Sequence, residues 1–349
     1  MVLLASILKR ATSYLLKVMI DFVPNRDINT ALNFHLKNYN GLDVNSLGVD
    51  EYNKSYLSKY IEKLEYNTYL ALDLVDKIDP IEVSLVVDYG CGIGFNGAMF
   101  RALGFKNVIC MDIDPISVRD AKTINAALGI KNIEYIVGDY IKLGKLNLDK
   151  AFVCSRDVIE HIYSLPQFLE YTKKASYNRH NTAAIKNSYL RRNEFKKIHH
   201  RLEYLGSSAT LLKNTDINQS YLSARKQIIK SFIPKIDETT LDQLGKETRG
   251  LIKADIEKYI NLAELPKHHK AMLYSNTCNP INGNWAERVL KIADYKTLGL
   301  DAGLSIDYAL PEYNTFNGGM VKKAGLKLLN FLVRVFKSER LAPSFTIKY

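Results

Sequence analysis

The chain has 349 residues, of which 47% are hydrophobic and 24% are charged, and its formal net charge is +11 at pH 7. This length suits one catalytic domain with extensions, and the composition excludes a disordered or membrane-spanning class of protein. The charge would suit nucleic acid, anionic lipid or an anionic substrate, without distinguishing among the three. The four cysteines lack a CxxC pair and are predicted to be reduced core residues of a cytoplasmic protein.

Residues 1–80 are predicted to form an N-terminal helical extension. Residues 2–20 have a basic amphipathic pattern, with Lys9, Arg10 and Lys17 on the polar side. These charges exclude a bilayer span, and the segment lacks the features of a signal peptide. A second helix is predicted over residues 53–77.

From residue 81 to residue 205, short β-branched segments alternate with helical ones, which predicts βαβ units and a parallel, doubly wound sheet. The first four strands are predicted in VSLVVDYG, NVICMDID, NIEYIVGDY and DKAFVCSRD, and a fifth over residues 182–186. Such sheets bind ligands at the carboxyl ends of their strands. An acid lies at each of the first four ends: Asp88, Asp112, Asp139 and Asp157.

The rest of the chain is predicted to form a charged helical insertion, over residues 206–280, and a C-terminal completion of the core sheet, over residues 281–349. The insertion is expected to act as a lid over the acceptor. In the last segment, strand-like LSIDYALPEY and PSFTIKY flank a basic amphipathic helix over residues 321–337. Two interpretations of this helix and the N-terminal one stay open: coverage of the sheet, and peripheral contact with an anionic inner membrane surface.

The stretch VVDYGCGIGFNG, residues 86–97, contains two overlapping glycine patterns. Gly92-x-Gly94-x-x-Gly97 has the spacing of a dinucleotide fingerprint, whereas Gly90, Gly92 and Gly94 follow Asp88. Glycines at a strand-to-helix turn let the backbone approach a ligand, and the following helix offers free N–H groups. Both a nicotinamide dinucleotide and S-adenosylmethionine could use such a turn.

The acids favour the second ligand. Asp88 would repel a pyrophosphate but would accept hydrogen bonds from a ligand ammonium group. Asp112 is placed to accept from ribose hydroxyls, and Asp139 from an adenine amine, with Ile113 and Tyr140 as apolar walls. On this interpretation Gly97 serves close helix packing, and its dinucleotide spacing is incidental.

Four segments resemble the class I S-adenosylmethionine-dependent methyltransferases: VVDYGCGIG, VICMDIDP, YIVGDY and FVCSRDVIEHI. The last is similar to the Asp-Val-x-Glu-His stretch of the branch that includes the ubiquinone-biosynthesis O-methyltransferases. The resemblance covers about residues 83–166 and implies an α/β fold, a Rossmann-like seven-stranded doubly wound sheet with N-terminal helices and a helical insertion. S-adenosylmethionine is the implied cofactor. The implied cofactor-binding residues are Asp88, Gly90, Cys91, Gly92, Gly94, Asp112, Ile113, Asp139, Tyr140 and Asp157.

His161 is the predicted catalytic residue, a general base for an acceptor hydroxyl, because histidine exchanges protons near neutral pH. The alternative is a histidine that caps or packs its own helix, with Glu160 on the surface. Asp157 would line the methyl-transfer site or, alternatively, act as the N-cap of the next helix.

No metal site is predicted, because the pairs His199-His200 and His268-His269 lack a partner ligand at suitable spacing; these histidines are expected at the surface or against the acceptor. A basic run after the fifth strand is either a solvated face or a contact for an anionic acceptor. It comprises Arg191, Arg192, Lys196, Lys197 and Arg201.

The predicted acceptor is a hydroxyl of a small-molecule, glycan or lipid-linked compound. The Asn/Asp-Pro-Pro-aromatic motif of base N-methyltransferases is missing after the fourth strand, where the chain has Ser155-Arg156-Asp157-Val158. Nucleic acid is not the expected partner, since no RNA-binding module is recognisable. The remaining alternatives are an RNA methyltransferase, a non-catalytic cofactor-binding protein and a nicotinamide-dependent oxidoreductase.

Overall fold

The computed structural model describes residues 33–34, 37–39, 41–206, 219–267, 269 and 273–349. The helix predicted over residues 2–20 lies outside these residues, as does His268. Among the described residues, no helix is long and apolar enough to cross a bilayer.

In the part of the chain that the structure describes, seven strands form one sheet in the order β3-β2-β1-β4-β5-β7-β6. The first five strands are parallel, and β7 is antiparallel to both of its neighbours. This topology confirms the predicted doubly wound sheet. The strands are β1 Leu85–Tyr89, β2 Val108–Asp112, β3 Ile133–Val137, β4 Ala151–Arg156, β5 Tyr177–Thr182, β6 Asp307–Ala309 and β7 Phe345–Lys348.

Helices cover both faces of the sheet and form the insertion. Up to β5 they are α1 Glu51–Glu62, α2 Leu64–Leu74, α3 Phe95–Ala102, α4 Pro115–Ala127, α5 Tyr140–Leu143 and α6 Leu165–Thr172. After β5 they are α7 Arg192–His200, which continues into a π-helical turn at Arg201–Leu205, then α8 Tyr221–Phe232, α9 Glu238–Glu247, α10 Lys253–Leu262, α11 Ile292–Asp301 and α12 Met320–Phe336.

Two hydrophobic cores lie on opposite faces of the sheet, because successive strand residues point to opposite sides. Val87 and Val153 belong to one core and pack with residues of α6 and α11, whereas Val86 and Phe152 belong to the other and pack with residues of α1 to α3. All four cysteines are free and buried, which confirms the predicted core role.

The helix predicted over residues 53–77 is two helices, α1 and α2, separated at Lys63. The Asn67 side chain donates to the Tyr60 carbonyl at 3.1 Å, and the Lys63 N–H donates to the same carbonyl at 3.2 Å. The Lys63 backbone (φ −123°, ψ 33°) departs from helical geometry, so the chain turns there.

The fifth strand precedes its predicted position, since β5 spans Tyr177–Thr182 and residues 183–186 follow it. Its sequence, YNRHNT, has no apolar run. Its buried side chains make hydrogen bonds instead: Asn178 donates to the Thr172 carbonyl at 3.0 Å, and Asn181 donates to Thr346 Oγ1 at 3.0 Å. Apolar residues 184 and 185 are buried after the strand has ended.

Candidate active site

The glycine turn follows β1 and is tied to the end of β2. Gly90 has φ +73°, and a Cβ atom there would lie 2.3 Å from Val158 Cγ2, so position 90 admits no side chain. The Gly92 N–H donates to Asp112 Oδ2 at 2.9 Å. A Cβ added at Gly92 would meet no atom within 4 Å, so open space lies over the turn. Gly97 packs against β2, where a Cβ would lie 2.3 Å from Cys110 Sγ, as the packing interpretation predicts.

Asp88 lies beneath this turn with only 1% of its surface exposed. Asn96 Nδ2 donates to Asp88 Oδ1 at 3.2 Å, and among the described residues Oδ2 has no hydrogen-bond partner. Burial raises the pKa of Asp88 to about 6, because the low-dielectric surroundings disfavour the charged form. A buried carboxylate with an unused acceptor fits a cationic ligand group.

Asp112 and Asp139 hold the loops at the ends of β2 and β3. Asp112 Oδ1 accepts from the Asp114 N–H at 3.0 Å, and burial raises the pKa of this carboxyl. Asp139 Oδ1 accepts from the N–H groups of residues 141 and 142 and caps α5. Ile113, beside Asp112, is 69% exposed, and Tyr140 OH donates to Gln167 Oε1 at 3.2 Å. Of these four residues, Asp112 contacts the turn directly through Gly92, and the role of all four in binding adenosine stays a prediction.

Asp157 joins the ends of β4 and β5. It has φ +54°; its N–H donates to the Asn181 carbonyl at 2.9 Å, and its Oδ1 accepts from the Ala183 N–H at 3.1 Å. No helix begins at Asp157, so the N-cap alternative is wrong. The chain after β4 forms turns until α6 begins at Leu165.

His161 lies in these turns rather than in a helix, so the alternative of a helix-capping histidine is wrong. Its Nδ1 lies 2.8 Å from the Trp285 carbonyl oxygen. Because that oxygen can only accept, Nδ1 carries the proton and the neutral ring keeps a lone pair on Nε2. Nε2 lies 3.9 Å from Glu287 Oε1. His161 therefore has the tautomer that a general base at Nε2 requires.

Glu160 is 1% exposed, which contradicts its expected place at the surface. Burial raises the pKa of Glu160 well above its ordinary value, and the charges of Asp157 and Glu287 raise it further. One ligand atom from each of Glu160, His161 and Glu287 lies within 4.8 Å of the others, a grouping that could hold a metal ion. The sequence predicted no metal site. Residue spacing could not reveal this grouping, because Glu287 is remote from the other two residues along the chain.

Glu287 is the site residue that sequence reasoning missed. Its segment pairs with the loop after β4: the Trp285 N–H donates to the His161 carbonyl and the Arg288 N–H to the Glu160 carbonyl, both at 3.2 Å. Glu287 itself has φ +53°, and its carbonyl lies 3.0 Å from His199 Nε2. The turn-rich stretch TCNPINGNWAER was the only sequence feature that marked this segment, and residue spacing could not show that it pairs with the loop after β4.

The histidine pairs differ in part from expectation. His199 is buried, and Ser275 Oγ lies 3.1 Å from its Nδ1, so it supports the Glu287 segment rather than facing solvent. His200 is exposed and packs on the Tyr204 ring. His269 Nε2 lies 2.9 Å from the Arg249 carbonyl. In the basic run, Arg191 pairs with Glu194 at 3.1 Å.

A tyrosine row on α1 faces the same end of the sheet. Tyr52, Tyr56 and Tyr60 are four residues apart, so they share a face of the helix, and the Tyr52 and Tyr56 rings stack at 6.1 Å. Arg156 donates to Tyr60 OH and lies 4.9 Å from the Tyr60 ring centroid. Burial raises the pKa of Tyr52, and the charges of Glu287 and Asp112 raise it further. Tyr52 is half exposed, at the outer end of the row.

Comparison with known proteins gives a match to the same region. A family model described as a methyltransferase domain matches residues 86–176, which include the glycine turn, β2 to β4 and His161. The mitochondrial ubiquinone biosynthesis O-methyltransferase of Dictyostelium discoideum is 28% identical over 104 residues. That similarity covers 27% of this chain and 32% of the relative, so the chain spans about a third of the curated relative that it matches.

Solved structures with similar folds include three methyltransferase-related proteins. A SAM-dependent methyltransferase from Aquifex aeolicus is 23% identical, with 28% of this chain and 55% of that chain covered and a TM-score of 0.25. The putative methyltransferase in a complex with its activator from Haloferax volcanii is 12% identical, with 88% and 96% covered and a TM-score of 0.43. PKMT2 from Rickettsia typhi, in complex with AdoHcy, is 13% identical, with 77% and 49% covered and a TM-score of 0.38.

The sheet order and an acid-preceded glycine turn at the carboxyl end of β1 define the class I S-adenosylmethionine-dependent methyltransferases. Residues 86–176 match the methyltransferase domain family, which indicates an enzyme domain of this class. Its cofactor is S-adenosylmethionine. The buried, unused Asp88 Oδ2 and the open space over Gly92 fit the ammonium end of that cofactor.

Proposed function

We propose that this protein transfers a methyl group from S-adenosylmethionine to a hydroxyl of a small-molecule, glycan or lipid-linked acceptor. The observation that carries the proposal is the His161 tautomer: Nδ1–H donates to the Trp285 carbonyl, so Nε2 can accept the hydroxyl proton. We place the protein in the cytoplasm, with peripheral contact at the inner membrane surface.

We assign cofactor binding and proton transfer to different residues. Asp88, the glycine turn, Asp112 and Asp139 would hold the cofactor, whose sulfonium methyl is already activated. The bound cofactor would supply this methyl group to the acceptor oxygen and leave as S-adenosylhomocysteine, and His161 Nε2 would take the hydroxyl proton. Alignment of the acceptor and exclusion of water provide the remaining rate enhancement.

The acceptor site is proposed between the tyrosine row and the His161 loop, with the helical insertion as its lid. Two contacts support the lid: Tyr163 OH, in the His161 loop, donates to Asp255 of α10, and the Ile252 N–H donates to Tyr163 OH at 3.3 Å. The insertion has its own small core of Ile229, Leu241, Leu251 and Ile256. The insertion therefore has a core of its own and is joined to the His161 loop through Tyr163.

The test is mass spectrometry of a metabolite extract incubated with methyl-labelled S-adenosylmethionine, on the wild type and on His161→Ala. We expect a labelled methyl ether product from the wild type, and turnover lowered by roughly 10²-fold or more in His161→Ala, because general-base catalysis contributes that much. Cofactor affinity, measured by calorimetry, should not change.

The matched control is His200→Ala, which removes an exposed histidine and should keep full turnover. Wild-type turnover in His161→Ala would remove this residue from the mechanism. The charge of +11 favours RNA as the second candidate acceptor. Label in RNA rather than in metabolites, with steeply salt-dependent binding, would establish that alternative.

A further inference from the structure

Helix α12 is attached to the protein by one narrow face. Asn330 and Val333 are 4% and 3% exposed. Asn330 Oδ1 accepts from the Tyr313 N–H at 2.7 Å, and its Nδ2 donates to Glu312 Oε2 at 3.3 Å. These contacts fix the rotation of the helix about its axis and so determine which of its residues face away from the protein.

The outward face of α12 is apolar. Val321, Leu328 and Val335 are seven residues apart, hence on one side of the helix, and they are 89%, 60% and 55% exposed. Further exposed apolar side chains flank this line: Met320, Phe331 and Phe336. We call these six residues the α12 stripe. Single exposed hydrophobic residues are ordinary, but a continuous stripe along a helix of about 25 Å marks a contact surface.

Basic residues border the α12 stripe. The helix sequence, MVKKAGLKLLNFLVRVF, contains three lysines and one arginine and no acid. Lys322 and Lys327 are exposed and lie on opposite sides of the stripe, one hundred or more degrees from its centre on the helical wheel. Arg334 is paired with Glu312. An apolar stripe between lysines is the pattern of a helix that lies in the interface of an anionic bilayer.

We propose that the α12 stripe binds the surface of an anionic membrane, with the helix axis parallel to the bilayer plane. The stripe could be covered by a membrane, by a second copy of the chain or by the segment over residues 2–20, and charge distinguishes among these three. A second copy would bring the same lysines together, and the segment over residues 2–20 is also basic, with Lys9, Arg10 and Lys17. Anionic lipid headgroups complement Lys322 and Lys327, while acyl chains cover the apolar side chains.

The contacts near α12 connect this surface to the acceptor side of the domain. Phe316, just before the helix, contacts the Tyr69 ring of α2 at 6.2 Å, and Tyr66 of the same helix donates to the Glu312 carbonyl at 2.9 Å. Arg156, the last residue of β4, donates to the Asn67 carbonyl of α2 at 3.4 Å, so this segment lies near the end of β4. The inference rests on the peripheral membrane contact proposed above and assigns it to α12, but it does not depend on the methyl-transfer activity.

The test is flotation of the full chain with vesicles of phosphatidylcholine alone or mixed with phosphatidylglycerol. The wild type should float with the anionic vesicles only, and the double variant Val321→Glu/Leu328→Glu should lose binding by roughly tenfold or more. Lys322→Gln/Lys327→Gln should weaken binding with the apolar stripe intact. Circular dichroism before flotation verifies that each variant is folded.

The matched control is Ile81→Glu, because Ile81 is 89% exposed outside the α12 stripe. Its binding should equal that of the wild type. Absence of wild-type binding to anionic vesicles would overturn the inference, as would equal binding of Val321→Glu/Leu328→Glu. A wild-type dimer in light scattering that the double variant dissociates would assign the stripe to a second copy and also overturn it.

Discussion

Asp88 is the single residue whose surroundings most directly determine the ligand of the glycine turn. A pKa of about 6 in the folded protein, against an ordinary value of 3.8, means that ionised Asp88 destabilises the free protein at neutral pH by about 3 kcal/mol. A ligand ammonium group recovers part of this energy by pairing with Oδ2. A pyrophosphate would increase the cost, since it would add negative charge beside a buried carboxylate.

Replacing Asp88 with asparagine should weaken cofactor binding and stabilise the free protein. Loss of the charge removes a charge-assisted hydrogen bond, so we expect S-adenosylmethionine affinity to fall roughly 10- to 100-fold. The melting temperature of the free protein should rise, because position 88 no longer carries a buried charge. Calorimetry and thermal unfolding measure the two effects.

The pH dependence supplies the control for Asp88. Below about pH 6, free wild-type protein must release the Asp88 proton before it binds a cation, so its affinity should fall as the pH is lowered, whereas that of Asp88→Asn should not. A wild-type affinity that stays constant from pH 8 to about pH 5 would contradict the assignment of Asp88 to the ammonium group.

Tyr52 is predicted to position the acceptor. Its half-exposed ring stacks on Tyr56 in the tyrosine row beside the proposed acceptor site, so Tyr52→Ala should lower kcat/KM for the acceptor roughly tenfold, through lost ring packing, with unchanged cofactor affinity. Tyr204→Ala, which removes a ring of similar exposure, is the control. An unaltered acceptor KM in Tyr52→Ala would exclude Tyr52 from the acceptor site.

At the scale of elements, the sequence predicted the strands and helices whose apolar pattern is contained within their own residues. β1, β2 and β4 are apolar runs, and α12 was predicted within one residue at each end. β5 was misplaced because its buried groups are polar and depend on partners far along the chain, such as Thr346. Glu287 was missed for the same reason, since only folding brings it beside His161.

A buried ion pair joins the helical insertion to the rest of the molecule. Arg225 of α8 is fully buried and binds Glu203 through both guanidinium Nη atoms, at 2.5 and 3.2 Å. Thr277 Oγ1 donates to the same carboxylate at 2.6 Å. Removal of the arginine alone would leave a buried carboxylate without its counter-charge.

Arg225→Met should therefore lower the free energy of unfolding by about 3–5 kcal/mol, measured by urea denaturation. The double variant Arg225→Met/Glu203→Gln should recover most of this loss, because the glutamine still accepts from Thr277 and carries no charge. Lys226→Met is the matched control: its ion pair with Asp242 lies at the surface and should contribute less than about 1 kcal/mol. A single Arg225→Met variant as stable as Lys226→Met would contradict this role.

At the scale of the whole molecule, two sets of buried groups give stability opposite dependences on pH. The carboxyls at the ends of β1 and β2, together with Glu160 in the loop after β4, have pKa values raised by burial, so folding takes up protons there and these acids disfavour the folded state as the pH rises. His180 in β5 acts in the opposite direction. Burial lowers its pKa to about 3, against an ordinary 6.5.

The contribution of His180 can be isolated by comparing the wild type with His180→Asn at several pH values. Ser155 Oγ lies 2.9 Å from Nδ1 and Tyr349 OH lies 3.2 Å from Nε2, and burial keeps the ring neutral in the folded protein. Below pH 6.5 the unfolded chain takes up a proton that the folded protein refuses. Wild-type stability relative to the variant should fall by about 2–3 kcal/mol between pH 7 and about pH 4.5 in urea denaturation. The acids cancel in this difference, since both proteins contain them. A difference that does not change with pH would show that His180 gains its proton without unfolding.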